Sequence, residues 1–376
     1  MRRRTILKAA AVSAATPVVL GTTVTPAAAA TTLSVRGIDI STLPKSEAYG
    51  GVYYNSAGTR VDPVALLGTA GISHARLKVW VNPADGYNNK ARILPLARRL
   101  SAQGIKLIID FHYSDTWADP GTQTKPAAWS SYSVSQLSTA VYNHTADVLG
   151  ALVSQGTPAD LVQIGNELNG GMLWPDGNWE HLDNLAAFLK SGTNAARATT
   201  PGVRTVLHLA NGGTQSLYQW FFDNMRSRGV SWNVIGLSFY PYWHGTLSAL
   251  SANLAFVTNR YATPAIVVET AYPWTLANKD STGNIVGSGS QLTSGYPATP
   301  AGQDAWIRAI ADTVAAAPDN RGLGYVYWEG LWTAVTGNGW DPADPSSGNA
   351  WENQALFDYN SRALTGFYTV GSYRRG

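Results

Sequence analysis

Two glutamates each close a short apolar run of the kind that forms a buried strand. Glu167 ends the run at 161–167, and Glu269 ends the run at 265–269. A carboxylate in such a place costs free energy unless it is paired or hydrogen-bonded. Because the two lie about a hundred residues apart and each is followed by a loop, the pattern indicates two carboxylates that the fold brings together. Paired carboxylates on either side of a sugar linkage are the usual machinery of glycoside hydrolysis.

That chemistry requires different protonation states of the two carboxyl groups. One must stay protonated to donate to the leaving oxygen, and the other must stay ionised to attack the anomeric carbon. Burial raises the pKa of the first, whereas a nearby arginine and hydrogen bonds lower the pKa of the second. The sequence offers Arg76 to keep Glu269 ionised and Asn166 to bind the sugar 2-hydroxyl. A carboxyl separation of about 5 Å would give retention of configuration through a covalent intermediate.

Eight strand-like runs must position these residues. They are short, apolar and rich in β-branched residues, as strands buried on both faces should be. The predicted strands are 35–40, 74–80, 106–113, 161–167, 204–210, 234–240, 265–269 and 324–328. Apolar residues recur at helical spacing between several of them. The predicted helices are 89–103, 134–152, 185–199, 214–228 and 303–317.

This alternation predicts an α/β fold, a single (β/α)8 TIM barrel formed by residues 31–376. The alternative, an open doubly wound sheet, usually has fewer strands, and no Gly-x-Gly-x-x-Gly follows the first run. Long loops at 271–300 and 330–353, after the seventh and eighth runs, are expected at the C-terminal end of the barrel, where active sites of this fold form.

Polar residues at the C-terminal strand ends of a barrel converge on one cleft. A single histidine, tyrosine or arginine at a strand end is more often a satisfied structural group than a catalyst, but here such residues follow all eight runs. His112 and Tyr240, for example, are predicted to orient the nucleophile or the substrate. The full set is Asp39, Arg76, His112, Asn166, Glu167, His208, Tyr240, Glu269 and Trp328.

Tryptophan and tyrosine are abundant, with 14 Trp and 18 Tyr against 8 Phe. Their flat apolar faces and polar edges suit the C–H faces of sugar rings, although core packing explains the composition equally well. Eight tryptophans fall in or near the loops of the same barrel end, and about half of them are expected to line a sugar-binding groove. They are Trp80, Trp117, Trp129, Trp174, Trp243, Trp328, Trp332 and Trp340.

Residues 1–30 have the organisation of a secretory signal peptide. A basic start at 2–4 precedes an apolar segment at 9–20, and the alanines at 27–30 offer an A-x-A cleavage site. The twin-arginine type is favoured over an ordinary Sec signal because RRTILK occupies 3–8. The protein is therefore expected to be secreted and extracellular. Loss of the four basic residues in this segment changes the formal net charge from +3 to about −1, which leaves no basic field for nucleic acid or a membrane.

Composition and motifs exclude several kinds of chemistry. Cysteine is absent, so there is no thiol nucleophile and no thiolate metal site. The six histidines show no H-E-x-x-H spacing, and neither a Gly-x-Ser-x-Gly elbow nor a Walker loop is present. The reaction is therefore predicted to need no cofactor, and the expected partner is a polysaccharide bound by a monomer.

Seven longer motifs run along the chain after residue 30. They are RLKVWVNP (76–83), DFHYSDTWADP (110–120), QIGNELNG (163–170), LWP (173–175), GLSFYPYWHG (236–245), VETAY (268–272) and WENQALFD (351–358). In type and order they resemble family 53 of the glycoside hydrolases, the endo-β-1,4-galactanases. Asn166-Glu167 and Glu269 also resemble the larger clan of retaining barrel hydrolases.

The resemblance implies that Glu167 is the acid/base and Glu269 the nucleophile, in agreement with the argument from the residues. It also implies endo cleavage, with retention, of β-1,4-galactan, the backbone of type I arabinogalactan in pectin. The sugar and the linkage rest on the resemblance alone. The residues expected to contact substrate are Asp39, Arg76, Trp80, His112, Asp115, Trp117, Asn166, His208, Tyr240, His244 and Trp328.

Oxygen-bearing residues alternate in the loop after the seventh run, at Asn278, Asp280, Thr282 and Asn284. The spacing resembles the first half of a calcium-binding loop, but the glutamate of an EF-hand is absent. Bacterial members of the family are similar in carrying calcium in this loop, with an aspartate where Asn278 stands. A structural calcium ion is therefore expected, with a plain polar turn as the alternative.

Two other functions remain compatible with the residues. A cellulase or mannanase on the same barrel would use the same two glutamates and differ only in its sugar-binding residues. A non-catalytic sugar-binding barrel would keep the aromatic residues but would not need both glutamates, which makes it the weaker alternative.

Overall fold

Eight parallel strands form a closed barrel in this computed structural model, which describes residues 33–374. The predicted signal peptide therefore lies outside the described residues. Each strand bonds to its neighbours in chain order, and the first bonds to the last. The predicted (β/α)8 barrel is confirmed. The strands are β1 (Val35–Asp39), β2 (His74–Val79), β3 (Lys106–Phe111), β4 (Leu161–Ile164), β5 (Arg204–Leu209), β6 (Val234–Ser238), β7 (Ala265–Thr270) and β8 (Gly322–Tyr327).

Helices pack around this barrel, and the five predicted ones are present with slightly different ends. Sequence reasoning missed α1, α6 and α8. The helices are α1 (Pro63–Thr69), α2 (Lys90–Ala102), α3 (Val134–Ser154), α4 (Leu182–Thr199), α5 (Gln215–Ser227), α6 (Leu247–Tyr261), α7 (Pro300–Ala315) and α8 (Thr365–Ser372). Between residues 33 and 374, none is both long enough and apolar enough to span a bilayer.

Short elements decorate the loops. Two hairpins pair Tyr53–Tyr54 with Arg60–Val61 and Gly171–Met172 with Gly177–Asn178. Two short α-helices occupy Leu43–Ala48 and Pro241–His244, and the 3-10 turns are Ala127–Trp129, Leu168–Gly170, Gly289–Gln291, Pro318–Asn320 and Glu352–Gln354.

The core has an outer and an inner part. The outer part lies between strands and helices and includes Leu77, Phe111 and Ile164, whereas a separate inner cluster fills the barrel axis. The inner cluster consists of Val35, Ile108, Leu161, Val206, Val234, Ile266, Val268 and Val326, all fully buried. Because side chains alternate along a strand, the residues two positions further on face the same interior. The barrel axis is therefore apolar at one level and, one pleat closer to the C-terminal end, polar.

The two glutamates lie in irregular backbone, which the sequence did not predict. β4 ends at Ile164 rather than at 167, because Gly165 and Glu167 have φ values of 80° and 47°. In β7 the pairing with β6 shifts register, so that Val267 pairs with Leu237 but Glu269 pairs with Ser238. Val268 already belongs to the inner cluster, so in a regular strand the next residue, Glu269, would face outward. The extra residue forms a bulge that turns Glu269 toward the barrel interior.

Gly324 is a position where the barrel tolerates no side chain. Its φ is 147°, and a Cβ atom would lie 1.7 Å from the carbonyl oxygen of Val35. We expect Gly324→Ala to destabilise the protein by about 3 kcal/mol or more, because β1 and β8 must separate to admit it. Gly289→Ala is the matched control, since a Cβ there meets no atom within 4 Å. Chemical denaturation measures both, and equal stabilities of the two variants would contradict the prediction.

Candidate active site

A cavity of about 640 Å³ opens at the C-terminal end of the barrel. Glu167 and Glu269 lie in it together, with Arg76 and Asn166 beside them. Six tryptophans form much of its wall: Trp117, Trp243, Trp328, Trp332, Trp340 and Trp351. Five of these belong to the eight predicted, and Trp351 was missed.

Arg76 is the centre of the polar layer, and it is almost fully buried. Its guanidinium forms ion pairs of 2.8–2.9 Å with Asp39, Asp110 and Glu269. The same group donates to Asn166 Oδ1 at 2.9 Å. Burial lowers the pKa of Arg76, but the carboxylates more than offset this effect and raise it above its usual value. One cation therefore holds three carboxylates that come from three different strands.

Glu269 is fixed through both carboxylate oxygens. Oε1 pairs with Arg76 at 2.9 Å, and Oε2 accepts a hydrogen bond from the Tyr240 hydroxyl at 3.0 Å. Burial raises the pKa of this carboxyl, while the charge of Arg76 and the bond from Tyr240 oppose the rise. Glu269 therefore has direct support for its ionised form.

Glu167 lies in a different environment. Its Oε1 accepts a hydrogen bond from Ser238 Oγ at 2.6 Å, and no arginine or lysine is paired with it among the described residues. Burial and then the charge of Glu269 raise the pKa of this carboxyl well above its usual value. One carboxylate oxygen of each glutamate and a ring nitrogen of His208 lie within 4.8 Å of one another. The two environments push the protonation states of the two glutamates apart.

Three such ligating atoms could also suggest a metal site. However, the Arg76 guanidinium already occupies one oxygen of Glu269. Both ring nitrogens of His208 are engaged as well, with Gln163 and with Ser238. The partners of these atoms fit a carboxylate pair better than a metal centre.

Other predicted site residues line the cleft. His112 contacts Asp110 Oδ2 through Nε2 at 3.0 Å, and Asn166 donates from Nδ2 to the Ala118 carbonyl at 2.8 Å. His244 Nδ1 lies 3.0 Å from the Ser238 carbonyl oxygen and 3.2 Å from the Tyr240 backbone nitrogen. The predicted residues that line the cavity are Arg76, His112, Trp117, Asn166, Glu167, Tyr240, His244, Glu269 and Trp328.

Four predicted residues do not line the cavity. Asp39 is fully buried and bonds to Arg76. Trp80 is buried and donates to His112 Nδ1 at 3.1 Å. Asp115 braces two loops by accepting from the backbone N–H of Asn82 and of Ala127. His208 is buried beneath Glu167 and contacts Ser238.

Sequence reasoning missed several polar residues that lie within the strands it predicted. Asp110 and Gln163 contact Arg76, and Ser238 contacts Glu167. A buried ion pair of Lys78 with Glu329 was also missed. The signal was available, because each of Asp110, Gln163 and Ser238 interrupts a predicted apolar strand at an inward-facing position.

The predicted metal-binding residues form one turn of the loop after β7. Asp280 Oδ1 accepts from the Thr282 backbone, and Oδ2 accepts from the Asn349 backbone at 2.7 Å. Asn278 Oδ1 accepts from Asn284. Glu352, from the loop after β8, accepts from the backbone N–H of Asp280 at 3.2 Å, so both long loops meet here.

Comparison with known proteins agrees with this geometry. Residues 35–370 match the family described as Glycosyl hydrolase family 53. The chain belongs to this family. It is therefore a glycoside hydrolase, and the predicted resemblance is confirmed.

Individual relatives of this family 53 chain cover most of its length. The endo-beta-1,4-galactanase of Bacillus subtilis (strain 168) is 32% identical over 88% of the chain and 83% of its own length. The arabinogalactan endo-beta-1,4-galactanase of Thermothelomyces thermophilus is 34% identical over 86% of the chain and 99% of its own. The solved structure of the Ignisphaera aggregans GH53 catalytic domain is 38% identical, covers 90% of the chain and 95% of its own, and has a TM-score of 0.86.

Removing the central cation tests this arrangement. We expect Arg76→Met to destabilise the protein by about 3–5 kcal/mol near neutral pH, because three buried carboxylates lose their partner. Without the cation, Glu269 loses the charge that opposes the rise of its pKa caused by burial. Its folded pKa then lies further above the unfolded value, so the loss of stability is present at high pH and shrinks as pH falls through that raised pKa. Urea unfolding at several pH values measures it.

Arg226→Met is the control, because Arg226 is a half-exposed partner of Asp223 and such pairs contribute little. A loss for Arg76→Met as small as that of the control, or one independent of pH, would contradict the central role of Arg76.

Proposed function

We propose that this chain is a retaining endo-β-1,4-galactanase. The observation that carries the proposal is the pair of carboxylate oxygens of Glu167 and Glu269 within 4.8 Å on the floor of a tryptophan-lined cleft. Carboxyl groups lie about 5–5.5 Å apart in retaining glycosidases and about 6.5–9.5 Å apart in inverting ones, so this proximity favours retention.

The reaction proceeds in two displacements. The ionised carboxylate of Glu269 attacks the anomeric carbon, the bond to the leaving oxygen breaks, and Glu167 gives that oxygen its proton. Water then attacks the same carbon while Glu167 takes a proton from it, and Glu269 leaves as a carboxylate. Arg76 and Tyr240 support the ionised form of Glu269, whereas burial and the charge of Glu269 favour protonated Glu167.

The cleft has the form needed to bind the middle of a polymer. Trp117, Trp328, Trp351 and Trp243 follow one another with ring centroids 6.0, 4.5 and 5.9 Å apart. Trp243 and Trp340 are 55% and 47% exposed, so flat apolar faces extend beyond the carboxylates into solvent. A continuous aromatic wall suits successive sugar rings and favours endo cleavage.

The identity of the sugar, galactose, is inferred from the relatives of this chain. The printed names of the Bacillus subtilis and Thermothelomyces thermophilus relatives specify a β-1,4-galactanase, and each is more than 30% identical to this chain. A cellulase or mannanase would use the same carboxylates. Reducing-end release from galactan, carboxymethylcellulose and mannan in parallel separates these substrates, and a clear preference for either of the latter two would overturn the galactan assignment.

We further propose that residues 1–30 direct export, that cleavage leaves 31–376 as the catalytic barrel, and that the protein acts outside the cell. The basic start, apolar segment and small residues at 27–30 support this proposal. A polysaccharide substrate also favours an extracellular location.

Substitution of each glutamate tests the assigned roles. We expect Glu269→Ala to reduce turnover by several orders of magnitude on both galactan and activated aryl galacto-oligosaccharides, because no nucleophile remains. Glu167→Ala should lose about 10²–10⁴-fold on galactan but far less in the first step on the aryl substrate, whose leaving group needs no proton. Burst-phase and steady-state rates measure both steps.

Glu180→Ala, at an exposed position, should behave like the unsubstituted protein. Near-normal turnover of Glu269→Ala would remove it as nucleophile, and equal losses of Glu167→Ala on both substrates would remove the acid role.

We also propose that the turn at 278–284 holds a structural calcium ion. Its donors are hard oxygens, which calcium prefers, and they include the carboxylates of Asp280 and Glu352. Two buried oxygens, Asn284 Oδ1 and Glu352 Oε2, have no hydrogen-bond partner among the described residues. Unsatisfied buried oxygens are costly unless a ligand meets them, so these residues fit the ion, and Glu352 joins the set predicted from the sequence.

Chelation tests the calcium proposal. After EDTA treatment, added calcium should raise the melting temperature, with a gain of about 2.7 kcal/mol at a hundredfold excess over Kd. Asp280→Ala should abolish the response, whereas Asp344→Ala, fully exposed on the neighbouring loop, should keep it. No shift, together with no metal in elemental analysis, would contradict the proposal.

A further inference from the structure

Glu167 receives its side-chain hydrogen bond from Ser238, at the end of β6. Ser238 is fully buried, and its Oγ donates to Glu167 Oε1 at 2.6 Å. No hydrogen bond reaches Glu167 Oε2 from any described residue. The carboxyl group is therefore held by one oxygen, and Oε2 is the oxygen left to carry a proton to a ligand in the cleft.

His208 determines where the Ser238 proton points. His208 Nε2 lies 2.7 Å from the same Oγ. A serine hydroxyl has one proton, so if it goes to Glu167, then Nε2 must be the donor in its own contact with Ser238. A neutral His208 then has no proton on Nδ1, which must accept.

Gln163 and Arg76 meet that requirement. Gln163 Nε2 lies 3.0 Å from His208 Nδ1, and Gln163 Oε1 lies 3.3 Å from Arg76 Nη2. A guanidinium has only donors, so it orients the amide with oxygen toward Arg76 and N–H toward His208. The donors thus all point one way, from Arg76 through Gln163, His208 and Ser238 to Glu167.

The opposite direction requires a proton on His208 Nδ1. Asn166 Oδ1, 3.0 Å away, would be its acceptor. That oxygen already accepts from Arg76 and from Gln163, each at 2.9 Å. The Nδ1 proton would also face the donor nitrogen of Gln163. The contacts therefore favour the direction that ends on Glu167.

We propose that Ser238 is a positioning residue for the acid/base, and that Arg76, Gln163 and His208 fix the direction of its hydrogen bond so that Glu167 Oε1 accepts and Oε2 faces the reaction. The inference rests on the proposed role of Glu167. It links the two glutamates to one cation, since Arg76 pairs directly with Glu269 and reaches Glu167 through three side chains.

Other groups around Glu167 also act on its titration. Besides burial, the charges of Glu269 of β7, Arg76 of β2 and Asp119 after β3 shift its pKa. A ring nitrogen of His208 of β5 also lies within 4.8 Å of it. Together with burial, the charge of Glu167 raises the pKa of Tyr218 of α5 and of Tyr240 after β6. Burial and Glu269 favour the protonated carboxyl, whereas the Ser238 bond and Arg76 oppose it by lowering its pKa. Burial and then Arg76, with His112 and His244, hold the pKa of His208 well below its usual value, so this ring stays neutral.

The test is Ser238→Ala, which removes one buried oxygen and little volume. Ser238 stabilises the ionised form of Glu167, so its loss raises that pKa further. Because the first step needs protonated Glu167, the alkaline limb of kcat/KM on galactan should move about one unit to higher pH. A purely structural role would lower the rate evenly at all pH values and leave the limb in place, which would overturn the proposal.

Thr258→Val is the control, because it also removes a buried hydroxyl, one that bonds only to backbone carbonyls within α6. Its alkaline limb should match that of the unsubstituted protein. If the alkaline limb of Thr258→Val moved as far as that of Ser238→Ala, the shift would not come from the loss of the Ser238–Glu167 hydrogen bond, and the proposal would be overturned.

Nitrogen NMR of histidine-labelled protein tests the direction independently of activity. His208, assigned by its loss in His208→Gln, should carry its proton on Nε2 over the pH range of activity. A proton on Nδ1 would overturn the proposed direction of these hydrogen bonds.

Failure of the proposed function can be told apart from failure of this inference. If Glu167→Ala keeps full activity on galactan, the proposed function itself fails. If Glu167→Ala is inactive and the alkaline limb of Ser238→Ala is not shifted, only this inference fails.

Discussion

The site depends on the requirement that a buried charge be paired. Arg76 lies inside the barrel with the carboxylates of Asp39, Asp110 and Glu269 around it. Removing ions from water is so costly that such a cluster persists only when each member is bonded. The pairing joins β1, β2, β3 and β7, and it also holds Glu269 in place. Because negative charge exceeds positive charge within this cluster, a further carboxyl group nearby is favoured in its protonated form, and Glu167 is that group.

The barrel determines where this charged cluster lies. One level of the axis is filled by valine, leucine and isoleucine, which exclude water, and the next level carries the charged and amide side chains. Electrostatic interactions strengthen in such surroundings. A polar layer that lies directly above the inner apolar cluster can thus hold its side chains in one arrangement, as a catalytic site requires.

The loops add the surface on which a polymer can lie. Trp117 is fixed by its indole N–H, which donates to the Trp340 carbonyl at 2.7 Å, and Lys78 Nζ lies 4.2 Å from its ring centroid. Lys78 is itself paired with Glu329 below. The aromatic wall is therefore braced by a buried ion pair at the same end of the barrel as the two glutamates.

The sequence by itself determined the barrel, the two glutamates and their likeness to family 53, because strand-forming runs, helical spacing and long motifs are local features. It did not determine how Glu269 turns inward. Val268 faces the barrel interior, so simple alternation along β7 would place Glu269 on the outer face of the strand. Only the register shift against β6 decided that. Nor did it reveal the partners of Glu167. Ser238, His208 and Gln163 come from three strands, and their contacts exist only because the closed barrel brings alternate residues of neighbouring strands to one level.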